Sequence, residues 1–129
     1  MRKVVSEITL WLHLLIVLIL FLMFFIPTSI WSERPLVHFY VMALIILSDL
    51  IFGVIYYIYK NYFTLVCPLT LIMQRIRGYK FSDEKNYKYS FVKEVGGRLG
   101  FKFNRLFALF LLIFIFVLTL INYIVYNLQ

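Results

Sequence analysis

Three long apolar runs constrain this chain more than any other feature. Ile8–Ile26 is 19 residues broken only by Thr9 and His13. At ~1.5 Å per helical residue it covers about 28 Å, close to the ~30 Å hydrocarbon core of a bilayer. Leu36–Tyr59 is 24 residues with one charge, Asp49, and Leu106–Tyr126 is 21 residues with none. A soluble fold of 129 residues has too little interior to hide a composition that is 64% hydrophobic. Lipid as the solvent explains both the amount of apolar side chain and its clustering. The fold class expected is therefore all-α: one membrane domain, residues 1–129, with spans at about 8–26, 36–59 and 106–126. Met1-Arg2-Lys3 before an apolar run resembles a signal peptide, but the run exceeds an h-region and no small-x-small site follows. The first span is expected to be retained.

Between the second and third spans, residues 60–105 form a basic segment. Ten of the 13 Lys and Arg lie there against three acids, so it alone carries +7, the net charge of the whole chain. Tyr62–Met73 is apolar but too short to cross. Pro68 suits the first position of a new helix. Leu69, Ile72, Met73 and Ile76 follow the i, i+3, i+4, i+7 spacing of one helical face, opposite Gln74, Arg75 and Arg77. A short amphipathic helix, Pro68–Arg77, capped by Gly78 and lying in the interface, is predicted. Ser82–Lys88 reads as a solvated loop and Phe91–Phe103 as a second interfacial segment. The Gly96–Gly100 spacing is formally G-x-x-x-G, a dimerisation signal only inside an apolar span, which this is not.

Charge bias sets the expected orientation. Arg2 and Lys3 precede the first span, Arg34 is offset by Glu33 between the first two, and the second loop has ten bases. Three spans put the tail and the basic loop on one side, read as cytoplasmic, with the C-terminus outside. In an organellar inner membrane that side is the matrix. Trp11, Trp31 and several tyrosines fall where aromatic belts belong.

Asp49 is the most informative polar residue. A charged Asp at the bilayer centre costs roughly 2.5–3.5 kcal/mol on insertion scales. It must be protonated, paired or wetted. His38, Met42, Asp49, Gly53 and Tyr56 fall on one face of the second span, and Gly53 admits a close backbone neighbour. That face is expected to meet protein. Asp49, His13 and His38 are the candidate intramembrane polar site. The bland alternative is an inter-helix hydrogen bond that only orients the bundle. His13 and Asp49 differ in depth by about 7–8 Å, within reach of side chains or a water. His13 and His38 differ by roughly 20 Å, too far to share one haem iron. Cys67, Pro68 and Thr70 form a candidate interface motif, and a lone Cys supplies no second thiolate for zinc. Arg75, Arg77 and Lys80 are candidate contacts to anionic lipid headgroups. No phosphate-cradling loop, metal-spaced cluster or nucleophile with a neighbouring base is present. No metal or cofactor is assigned, and no nucleic-acid partner is expected.

Leu12-His13-Leu14-Leu15, Arg34-Pro35-Leu36-Val37-His38, and Cys67-Pro68-Leu69-Thr70 followed by Gly78-Tyr79 resemble a family of small bacterial membrane proteins, domain of unknown function 2784. The resemblance implies an acidic residue about three turns after the second His, where this chain has Asp49, and a bacterial inner membrane. It implies no activity. A further His-bearing segment of that family has no counterpart, since residues 79–100 contain no His. Three function classes follow. The first is a non-catalytic subunit or assembly partner, with other membrane subunits or further copies as partners. The second is a redox, metal, haem or proton-handling protein using His13, His38, Asp49 and Cys67. The third is an oligomeric channel or transporter.

Overall fold

The computed structural model describes residues 1–83, 86 and 91–128. Its helices are α1 (Arg2–Leu22), α2 (Arg34–Lys60), α3 (Pro68–Ile76), α4 (Phe91–Arg98) and α5 (Arg105–Asn127), with a 3-10 turn, Met23–Phe25, after α1. Three of them are long and apolar enough to cross a membrane: α1 with its 3-10 turn, α2, and α5. These match the three predicted spans. Helix α1 begins six residues earlier than the apolar run, because nothing in Arg2–Glu7 breaks a helix. It ends where Pro27 forces Ile26 into an extended conformation (φ −77°, ψ 118°).

Helix α2 starts with Pro35 in its first turn. It ends at Asn61, whose left-handed backbone (φ 56°) reverses the chain while its N–H bonds the Tyr57 carbonyl at 2.8 Å. Asn is among the few residues that adopt this conformation readily. The chain then climbs back along α2. The Val66 N–H reaches the Asp49 carbonyl at 3.2 Å. Eleven helical residues separate Asp49 from Lys60, about 16 Å. The extended segment 61–66 covers that distance easily at ~3.3 Å per residue. Gly53 makes room for it: a Cβ there would collide with the Thr64 carbonyl oxygen.

From Pro68 the chain turns down again as α3, packed obliquely along α1. Its N-terminal end meets α1 at His13 through Cys67, and its C-terminal end meets α1 at Glu7 through Arg77. Residues 61–76 are thus a hairpin, one extended limb folded back along α2 and one helical limb against α1. The predicted buried face of the helix is corrected. Thr70, Leu71, Met73 and Gln74 are buried, while Ile72 is exposed. Lipid accepts an apolar outer face, so the polar Thr70 and Gln74 turn inward. The cap is as predicted: Gly78 (φ 95°) follows Arg77, with Gly78 N–H on Arg75 O and Tyr79 N–H on Gln74 O, a Schellman ending.

Leu20, Met23 and Met42 form the centre of the packing between α1, α2 and α5, with Leu112, Ile115 and Phe116 against them. Phe39 of α2 stacks on Tyr123 of α5 at 4.5 Å between ring centroids. Asn104 caps α5 by accepting the Phe107 N–H at 2.7 Å. The predicted second interfacial segment contains α4, whose Gly96 lies under the Phe103 ring. The predicted solvated loop 82–88 falls mostly outside the described residues.

Candidate functional site

The predicted protein-facing stripe of α2 is real. His38, Met42, Asp49, Gly53 and Tyr56 are all buried, together with Arg34 and Pro35. The candidate polar residues nevertheless divide into two clusters, because they sit on the stripe at different heights.

The first cluster gathers around the tip of the hairpin. His13 Nε2 lies 3.6 Å from Cys67 Sγ, a sulfur hydrogen bond whose direction depends on the imidazole tautomer. The Phe91 ring stacks on His13 (3.9 Å between centroids, 21° between planes) and covers it from α4. Cys67 is a free thiol directly after Val66, which bonds the Asp49 carbonyl. Asp49 is 6% exposed, and its Oδ1 has no hydrogen-bond partner among the described residues. The first-turn amides of α3, at Leu69 and Thr70, and the Thr70 hydroxyl face the Cys67 thiol. Pro68 starts the helix that presents them. The interface motif Cys67, Pro68, Thr70 therefore sits at mid-height on α2, beside two of the three predicted polar residues. His13 bonds Cys67 rather than Asp49, because the returning limb brings the thiol to it.

The second cluster lies at the other end of α2. His38 is 1% exposed, meets the Phe24 ring edge-on at 4.5 Å, and leaves Nε2 without a partner among the described residues. One turn earlier, Arg34 Nη1 donates to the carbonyls of Met23 and Phe24, both at 2.9 Å. Its Nη2 reaches Asn122 Oδ1 at 3.4 Å. Arg34 thus closes the end of α1 and ties it to α2 and α5, as a cation does at a helix C-terminus. Sequence reasoning passed over Arg34 by treating it as a loop charge offset by Glu33. The usable signal was its position one turn before His38 on the buried stripe.

Arg77, predicted as a headgroup contact, is paired with carboxylates. Its guanidinium takes both oxygens of Glu94, at 2.9 and 2.7 Å, and lies 3.8 Å from Glu7. Arg98 pairs with Glu7 at 2.6 and 2.8 Å and with Glu94 at 3.1 Å. Two acids were within reach, and a planar fork matches a carboxylate better than solvent does. Arg75 and Lys80 remain exposed.

Among the described residues, no three His, Cys, Asp or Glu side chains cluster closely enough to hold a metal ion. His13 and Cys67 are two donors, where a protein zinc site uses three or four. The first cluster can share a proton between thiol and imidazole. No family model, curated protein or solved structure matches the chain.

Proposed function

We propose that the chain is a non-catalytic subunit or assembly partner of a larger membrane complex. The observation that carries this is α5. Among its described residues only Thr119 is buried, and it bonds its own helix. Phe110, Ile113, Phe114, Val117 and Ile121 leave a broad apolar face on which another transmembrane helix can pack. Several charged side chains, in contrast, are engaged inside: Arg34 on the end of α1, and Arg77 and Arg98 on Glu7 and Glu94. Cation bias and the resemblance to domain of unknown function 2784 support a bacterial inner membrane. The N-terminus and the segment 60–105 then face the cytoplasm. Arg75 and Lys80 are placed there to meet anionic headgroups.

Native mass spectrometry after gentle detergent extraction from the source membrane tests this. The expected result is the 15.5 kDa chain carried with protein partners or further copies. A lone chain bearing a haem or metal mass would overturn it.

A second reading, a proton- or redox-handling site, is favoured by one observation: the His13–Cys67 contact beside a buried Asp49 oxygen without a partner. Asp49→Asn, His13→Ala and Cys67→Ala would then abolish a chemical activity. A structural subunit tolerates these changes or loses only assembly.

A further inference from the structure

Arg34 is 5% exposed, yet no carboxylate pairs with it among the described residues. The adjacent Glu33 is exposed, and Glu7 and Glu94 are engaged at the opposite end. A guanidinium has five N–H donors. Three are used here, two on helix-end carbonyls and one on Asn122 through a long 3.4 Å bond. Nε–H is buried without a partner among the described residues. Neutral acceptors offset part of the desolvation but do not neutralise the charge, and a buried cation is costly until an anion meets it. Beside Arg34 opens a cleft of about 310 Å³, lined also by Phe24, Pro27, Thr28, Asn122, Val125 and Tyr126.

We propose that this cleft is an oxyanion site, in which the Nε/Nη2 edge of Arg34 takes two oxygens of a phosphate group in place of the long bond to Asn122. Nε–H and the neighbouring Nη2–H form the side-on fork that binds phosphate or carboxylate in parallel. The Nη1 bonds to Met23 and Phe24 hold the guanidinium in place while the other edge exchanges partners. Arg34 opens α2, a helix long enough to cross a membrane, so the cleft lies at the level where lipid phosphates sit. The phosphate can belong to a lipid headgroup or be free in solution.

Thermal unfolding of the full chain in nonionic detergent tests the site. Titrations use phosphatidylglycerol, a neutral glycolipid, inorganic phosphate, and chloride at matched ionic strength. A ligand that binds only the folded state raises Tm with concentration. The expected result is a rise with phosphatidylglycerol and none with the glycolipid or chloride. A rise with inorganic phosphate as well identifies a free oxyanion as sufficient, and its absence identifies the lipid. Two variants separate this cleft from the basic segment. Arg34→Lys keeps the charge and loses the fork. Val125→Trp crowds the cleft and leaves all three Arg34 bonds in place, so it reports even if Arg34→Lys fails to fold. Half-saturation should weaken roughly tenfold or more in these variants. In the double variant Arg75→Gln, Lys80→Gln, which removes the proposed headgroup contacts of the basic segment, a rise with phosphatidylglycerol should remain and should still be lost on adding Val125→Trp. No rise with either phosphate source, or a rise undiminished in Val125→Trp, overturns the proposal.

Discussion

Gly53 is the residue on which the hairpin depends. Its missing side chain is the space that the Thr64 carbonyl occupies. Gly53→Ala forces backbone against backbone, where no flexible side-chain end can yield. A loss of about 1–3 kcal/mol is expected, the usual cost of overpacking, read as a lowered midpoint in detergent unfolding. A neutral effect would show that the 61–67 limb does not lie on α2. The His13–Cys67 contact carries a second expectation. A double-mutant cycle with His13→Ala and Cys67→Ala should give a coupling of about 0.5–1 kcal/mol, as touching side chains do. Simple additivity would mean that the two do not interact. Much of this level could be read in advance. His38, Met42, Asp49, Gly53 and Tyr56 recur at steps of three, four and seven residues, which keep them on one helical face, and all five are buried as that spacing predicts. Their partners were not legible. Spacing along α2 says which residues share a face, whereas Cys67 arrives through a chain reversal at Asn61 that depends on one left-handed residue.

At the level of elements, the spans were legible because each is uniformly apolar over a bilayer's thickness, and only helices satisfy their own backbone there. The hairpin was not legible, because 12 apolar residues fit an interfacial segment and a re-entrant one equally well. What separates the two is depth. Non-helical backbone at mid-span is tolerated only when protein covers it. The buried Thr64 against Gly53 and the buried Val66 on the Asp49 carbonyl meet that condition. Amphipathicity misled for a related reason: in lipid the apolar face of a short helix turns outward, so Ile72 is exposed and Thr70 covered. Depth gives a direct expectation. In lipid vesicles or nanodiscs, Cys67 should react with a membrane-impermeant maleimide far more slowly than a cysteine placed by Ser82→Cys. Equal rates would return α3 to the interface. The helical limb also needs its left-handed end. Gly78→Ala should cost about 1 kcal/mol, measured as a Tm loss, because Ala pays a steric penalty at φ 95°.

Across the whole molecule, lipid tails are as apolar as the helix faces, so the spans are held by van der Waals packing and polar ties rather than by a hydrophobic drive. The polar ties stand at the two ends. At one end Arg34 joins α1, α2 and α5. At the other, Glu7 of α1, Arg77 after α3, and Glu94 and Arg98 of α4 form a four-membered network. This second clasp holds the foot of the hairpin and keeps Phe91 over His13, so its loss should loosen the polar cluster from below. It is also open to titration. The Arg77 hydrogen bond holds the Glu94 carboxyl below its ordinary value of 4.5, against the opposing effect of burial. A carboxyl that ionises more easily in the folded state binds fewer protons there than in the unfolded chain. Its contribution is therefore complete above the ordinary glutamate value and is lost as pH falls through the lower, folded one. Stability measured from pH 7 down to pH 3 should hold to about pH 5 and then fall. Glu94→Gln should remove about 1 kcal/mol at neutral pH, near the upper end for a partly exposed pair because two arginines share it, and should flatten the acid limb. A wild-type acid limb kept unchanged by Glu94→Gln would assign the titration to another carboxyl and remove the clasp from the account of what holds α4 against the bundle.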